Sequence, residues 1–272
     1  MKRIIKKNKR SFKKRKKGFL PKLFFSVGIF SSIIVLSAGA FLLFSPRFQI
    51  KELSVVGNND ISTDDIKKIA TEQMQKSFSL LGKEIKTESI FLSVAGEINI
   101  LKQTFPQIES IAIKKNFPNG LFLEITEKTP YANWCEQYEG SKCYLVDKKG
   151  SFIKDIQENK EGLMLVNEKE KYENMEKKEI LACLDKISGG LAENSISTVS
   201  FNIFKDRVVV RSNLSCDIIF KLKGDIDSDW KIENLDWQIE KLGYLLKDGN
   251  YTKDLNKLEY IDLRDGNKVN IK

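Results

Sequence analysis

Histidine is absent from all 272 residues. That removes imidazole acid–base catalysis, Ser-His-Asp and Cys-His nucleophilic sites, and every metal site that needs a histidine ligand. Cysteine is scarce, with four residues at 135, 143, 183 and 216 and no C-x-x-C pair, which argues against zinc. No phosphate-binding G-x-x-x-x-G-K-[ST] loop and no G-x-G-x-x-G loop occurs. Carboxylates number 37, too many for any one pair to stand out by spacing. Ser11-Phe12-Lys13-Lys14 matches S-x-x-K, but it lies in a basic tail with no fold around it and is a chance match. The expectation is a non-enzyme with no cofactor and no metal.

Acidic residues are also missing from the first 47 positions, which hold 13 of the 46 lysines and arginines. The rest of the chain then sets 33 cations against 37 carboxylates, a net of −4 beneath an overall +9. A nucleic-acid-binding fold would spread its cations over a folded face, whereas twelve of these precede Leu23, so no nucleic-acid partner is expected. With 41% hydrophobic and 31% charged residues, the remainder is rich enough to bury a core.

Leu23 to Ser45 run 23 residues without a charge, between Lys22 and Arg47. As a helix this stretch is about 34 Å long, enough to cross a bilayer core. The cationic excess before it predicts a cytoplasmic N-terminus and an exported remainder, the topology of a single-pass type II membrane protein whose tail touches membrane lipid. A cleaved signal peptide competes, because Ala38-Gly39-Ala40 imitates a cleavage site. The apolar run continues through Phe41-Leu42-Leu43-Phe44, which favours an uncleaved anchor.

Beyond the anchor, Phe48, Ile50, Leu53 and Val55-Val56 read as a strand that ends at the Gly57-Asn58 turn. A helix opens near Ser62 with Ile66, Ile69, Ala70 and Met74 on one face. After a polar stretch with Gly82, the spacing of Ile90, Val94, Ile98 and Leu101 predicts a second helix that stops before Pro106. Two strands follow, carrying Ile111 and Ile113 and then Leu121, Leu123 and Ile125, joined by Pro118-Asn119-Gly120.

That βααββ order resembles a POTRA domain of the FtsQ/DivIB cell-division proteins. The resemblance rests on Val56-Gly57-Asn58, the Ile61-Ser62 helix start, the Phe117-Pro118-Asn119-Gly120 turn and Ile125-Thr126-Glu127-Lys128-Thr129-Pro130, similar to the family's E-x-x-P exit. Further on, Leu145-Val146-Asp147-Lys148-Lys149-Gly150-Ser151-Phe152 resembles the family's LVD..G.F hairpin, and Tyr260-Ile261-Asp262-Leu263-Arg264 its closing Y-I-D-L-R. Strands are expected at 131–135, 143–146, 163–166, 196–204, 207–211 and 216–222, with helices near 175–188 and 230–247. The expected fold is α+β: a basic cytoplasmic tail at 1–22, a transmembrane helix at 23–45, a POTRA domain at 48–127 and a strand-rich β domain with two helices at 128–272.

The resemblance implies a non-catalytic divisome scaffold at the division septum. Its implied partners are FtsB/DivIC-like and FtsL-like bitopic proteins, held together with other divisome proteins. Tyr260, Asp262 and Arg264 fall on one face of the penultimate strand, and the last strand, Lys268 to Lys272, suits a half-exposed edge that can accept a partner strand. Tyr260, Arg264, Val269 and Ile271 are the implied partner-binding residues, with Arg264 facing a partner carboxylate and Val269 and Ile271 around the added strand. The residue after that arginine, often aromatic in the family, is Asp265 here. Cys135 and Cys143 bracket a polar, Gly-containing stretch on the exported side and are candidates for a hairpin disulfide, while Cys183 and Cys216 read as buried thiols. A POTRA chaperone of secretion or envelope assembly is the alternative. Tandem POTRA repeats or a run of barrel strands, usual in such proteins, are not visible.

Overall fold

The computed structural model describes residues 19–74, 76–80, 83–92, 95–138, 140–171, 175–222, 234–247 and 257–272. The basic tail to residue 18, Gly82, Val94 and the Trp230 end of the expected last helix lie outside them. The fold is α+β, with an N-terminal apolar helix, a segment of helices and short strands around a three-stranded sheet, and a strand-rich C-terminal region. Two compact units are formed, one from residues 1–54, 73–94 and 114–122, the other from 55–72, 95–113 and 123–272.

Helix α1 spans Phe19–Phe44, and its Val27–Phe44 stretch has a mean hydropathy of 2.3 with no residue buried against protein. A helix this long, apolar all round and without protein cover is suited to cross a bilayer, which points to a single-pass membrane protein. Next come β1 (Glu52–Val56), α2 (Thr63–Met74), a hairpin of β2 (Lys76–Leu80) and β3 (Lys83–Thr87), α3 (Ala95–Thr104), β4 (Ile108–Asn116) and β5 (Gly120–Glu127). β1, β5 and β4 form a three-stranded sheet in that order, and β2 pairs with β3. Asp64 and Asp65 occupy the first turn of α2, where carboxylates complement the helix dipole.

The β2–β3 hairpin stands where a polar stretch was expected, and Ile90 precedes α3 rather than opening it. Its i, i+4 spacing with Val94 and Ile98 imitates a helix. In the structure the Ile90 N–H donates to the Phe48 carbonyl at 2.9 Å and the Ile50 N–H to Glu88 at 3.0 Å, an antiparallel bridge that buries Ile90 completely.

The C-terminal region builds β6 (Ala132–Glu136), β7 (Lys142–Val146), β8 (Phe152–Ile156), β9 (Met164–Glu168), α4 (Lys177–Glu193), β10 (Thr198–Ile203), β11 (Arg207–Ser212), β12 (Asp217–Lys221), α5 (Asn234–Lys247), β13 (Tyr260–Asp262) and β14 (Asn270–Ile271). Among the described residues these strands make one mixed nine-stranded sheet in the order β14-β13-β12-β11-β10-β9-β6-β7-β8. Alternate residues of β11, β12 and β13, namely Val208, Val210, Ile218, Phe220 and Ile261, are fully buried with Leu184 and Ile187 of α4 and Leu235 and Leu242 of α5. Each such side chain contributes about 1.5–3 kcal/mol, against roughly 0–1 for an exposed ion pair. The helix-covered face therefore carries the stability. β6 lacks the alternation because it is central, with Asn133 on its second face exchanging hydrogen bonds of 2.9 Å with the Lys160 backbone.

Candidate functional site

Because β13 runs parallel to β12 and antiparallel to β14, the closing segment finishes the sheet. The pairing sets Ile261 opposite Ile271 and Asp262 opposite Asn270. Tyr260 and Lys272 exchange main-chain hydrogen bonds, each 3.3 Å. Hydrogen-bonded and non-bonded pairs alternate along an antiparallel ladder, so the N–H and C=O of Ile271 turn away from β13 toward the open edge. Val269 lies one residue before β14, outside its pairing. The side chains of Val269 and Ile271 are half-buried and pack on the apolar core, while Lys268, Asn270 and Lys272 are exposed. What Ile271 presents outward is main chain.

Tyr260, Asp262 and Arg264 share the half-buried face of this segment, with Ile261 and Leu263 buried on the other, as the alternation predicts. Arg264 is already engaged by its own chain. Its Nε donates to both Asp262 oxygens at 3.0 and 3.2 Å, Nη2 to Asp262 at 2.8 Å and Nη1 to Asp206 at 3.4 Å. Burial alone would raise the Asp262 carboxyl, but the Arg264 hydrogen bonds and charge, with Lys241 adding to them, hold it below the ordinary carboxylate value. Asp262, chiefly by hydrogen bonding, and then Asp206 raise Arg264 in turn, so the guanidinium is a fixed cation rather than a swinging one.

Helix α5 holds the turn that joins β13 to β14, and sequence reading missed the residues that do it. Lys241 is buried, and its ammonium donates to the carbonyls of Leu263 at 2.8 Å, of Asp265 and of Lys268 at 3.4 Å. Trp237 Nε1 donates to the Gly266 carbonyl at 2.7 Å, and Gln238 Oε1 accepts the Lys221 N–H at 2.7 Å. Burial lowers Lys241 from the usual lysine value, with Asp265 and Asp262 partly opposing the shift. The signal in sequence was polar residues at 238 and 241 beside the apolar Leu235 and Leu242 of the same helix.

Three separated motifs meet at the start of α2. The Glu127 carboxylate accepts the N–H groups of Asn59 at 2.9 Å, Asp60 at 3.0 and 3.1 Å, and Ile61 at 3.1 Å. Asn58 Nδ2 donates to Ile61 O at 2.7 Å and Thr63 Oγ1 at 2.9 Å. Gly57 sits at φ +83°, with its missing Cβ only 2.2 Å from the Ile125 carbonyl oxygen. In the LVD..G.F hairpin, Asp147 Oδ1 accepts Lys149 N–H and Ser151 N–H, each at 2.8 Å, and Gly150 takes φ +74°. That aspartate shapes a turn.

Cys135 and Cys143 face each other across β6 and β7 with Cα atoms 4.0 Å apart and their sulfurs joined. Cys183 and Cys216 are buried thiols; burial pushes Cys183 up to about 11 and raises Cys216, which suppresses thiolate chemistry. Among the described residues, no group of three or more Cys, Asp or Glu side chains is placed to hold a metal ion.

Residues 48–128 match the family described as POTRA domain, FtsQ-type. The chain carries an FtsQ-type POTRA domain. Behind an N-terminal apolar helix, that domain supports an FtsQ/DivIB-type protein and points to a divisome scaffold that acts through protein–protein interaction in cell division. The Glu127 clamp and the Gly57 contact are thus features of the POTRA domain, closing its last strand onto its first turn. No curated protein matches the chain.

Proposed function

We propose that this protein is a non-catalytic bitopic scaffold of the division septum, with residues 1–22 in the cytoplasm, 23–45 in the membrane, and a POTRA domain (48–127) and a β domain (128–272) outside. Its β domain captures an FtsB/DivIC-type partner, in complex with an FtsL-type one, by adding a partner strand beside β14. The observation that supports this reading is the end position of β14, whose main chain at Ile271 turns away from β13. Strand addition draws affinity from such main-chain groups and specificity from neighbouring side chains. Tyr260 of β13 and Arg264, two residues past its end, supply those neighbours. Arg264 has Asp262 and Asp206 as its own counterions, so it offers a partner carboxylate a fixed cation beside two carboxylates rather than an isolated charge.

Val269→Pro removes the N–H at the entrance to β14 while leaving the Tyr260–Lys272 bonds in place. In the full chain it is expected to weaken capture of the FtsB/DivIC-type protein of the same cell by at least tenfold, with melting unchanged. Unchanged affinity in a folded variant would rule out strand addition at β14. A fluorescent fusion at the N-terminus extends the test to the cell: a mid-cell band in the full chain, lost when the chain ends after Asn267, is the expected result. Uniform membrane signal from the full chain would favour an envelope or secretion chaperone.

A further inference from the structure

Four phenylalanines form a continuous run of ring contacts from the membrane helix into the POTRA domain. Phe41, 61% exposed and within the apolar stretch of α1, meets Phe48 edge-on with centroids 6.0 Å apart. Phe48 meets Phe91 at 5.2 Å, and Phe91 meets Phe117 at 5.5 Å. Phe91 and Phe117 remain 43% and 57% exposed. Singly exposed apolar residues are ordinary on protein surfaces; a contiguous set that begins inside a membrane span is not.

Hydrogen bonds fix the depth of this run. The last carbonyls of a helix have no partner within it, and in α1 two of them are claimed by the segment that carries Phe91. Ser89 Oγ donates to Leu42 O at 2.9 Å, Thr87 Oγ1 to Leu43 O at 2.5 Å, and Gln49 Nε2 to Leu43 O at 2.8 Å. Gln49 Oε1 then accepts the Glu88 N–H at 2.7 Å. Residues 87–91 are therefore pinned to positions 42 and 43, inside the last turn of the span. A phenylalanine at that level lies in the boundary between headgroups and hydrocarbon, a layer of about 5–10 Å.

The charges around it suit the same place. Arg47 and Lys51 are exposed, and Lys115 is exposed with its ammonium on the Leu92 carbonyl at 3.0 Å. Cations on long stems beside exposed aromatic rings can reach headgroups while the rings sit deeper.

We propose that Phe91, set edge-on against Phe48, and Phe117, packed on Phe91, insert into the lipid boundary of the bilayer that α1 crosses and give this POTRA domain a second membrane attachment. The proposal rests on α1 as a membrane span and needs no assumption about which side of the membrane the domain occupies.

The test uses the full chain in phosphatidylethanolamine–phosphatidylglycerol vesicles with a trace of phospholipid carrying a photoactivated diazirine near the glycerol end of one acyl chain. After illumination, labelled peptides are mapped. Label in α1 and also on Phe91 and Phe117 is the expected result. Label in α1 with none on Phe91 or Phe117 overturns the proposal and leaves the span intact. No label in α1 removes the span and the proposal with it. In the Phe91→Ser/Phe117→Ser chain, label on segments 88–92 and 115–122 is expected to be lost while α1 keeps its label. Label persisting there would mean that the rings do not carry the contact.

Discussion

The Lys241 ammonium reaches the Leu263 carbonyl at 2.8 Å from a buried position on α5, and so ties the helix to the turn that delivers β14. Lys241→Met keeps the length of the side chain and removes the donor. Asp265 and Lys268 are exposed, so water can replace the lost bonds at their carbonyls, whereas Leu263 is buried. Relief from burying a charge offsets part of the loss. The expected net cost is about 1–2 kcal/mol in urea unfolding, with faster hydrogen exchange confined to residues 263–272. Exchange there at the parent rate would show that α5 does not hold the edge.

Gly57→Ala is expected to damage the POTRA domain disproportionately to its size. An alanine must adopt φ +83° and bring its Cβ against a backbone carbonyl oxygen at 2.2 Å, neither of which a rotamer change can relieve. A loss of roughly 2–4 kcal/mol follows from a left-handed conformation combined with a displaced β5. Gly162→Ala is the control, since Gly162 has φ +78° but no atom within 4 Å of the added carbon. It should cost only the conformational part, about 1 kcal/mol. Equal losses for the two variants would show that the Ile125 contact does not matter.

Legibility in the sequence followed how local each cause was. The membrane helix, the turns at Gly57 and Gly150 and the alternation of Tyr260 to Arg264 are set by neighbouring residues and could be read directly. Ile90 could not: its burial comes from a bridge to Phe48, distant in sequence, while its local spacing copied a helix. β6 was readable as a strand but not as a central one, because Asn133 is satisfied by Lys160 in a loop. For the edge, the sequence indicated which strand ends the sheet and that Arg264 is cationic. It hid that Asp206 and Asp262 already hold that cation, that Trp237 and Lys241 support the turn, and that Gln238 ties the same helix to β12, since those contacts span 17 to 58 positions. POTRA motifs scattered from Gly57 to Glu127 looked like ordinary turns until the Glu127 carboxylate joined them.

The Cys135–Cys143 bond closes a short hairpin, which limits what it can contribute. Chain-entropy arguments assign a loop of this length about 2.5 kcal/mol. The prediction is that Cys135→Ser/Cys143→Ser lowers stability by up to about that amount without altering the register of β6 on β7, which is also fixed by β8 and β9 on either side. Peptide mapping without reductant checks the bond in chain isolated from cells, and urea unfolding checks its effect. Two free thiols in exported protein would remove the proposed disulfide. A variant that fails to fold would show that the hairpin depends on it far more than the loop length implies.

Asp262 gives the edge a pH dependence with a definite sign. Its carboxyl is held below the ordinary value in the folded chain despite burial, by Arg264 foremost and by Lys241. In the unfolded chain it returns to about 3.9. Where the folded value is the lower one, the unfolded state takes up the proton first as pH falls. The stabilisation is therefore complete above about pH 5 and disappears as pH drops through 3.9 toward the folded value. Asp262→Asn lacks this titration, so the stability difference between parent and variant should be constant from pH 7 to 5 and narrow below pH 4. Urea unfolding of both chains across pH 7 to 2 measures it. A difference that stays constant over the whole range would mean that ionisation of Asp262 does not contribute to the Arg264 pairing, and that shape and neutral hydrogen bonding hold the end of β13 instead.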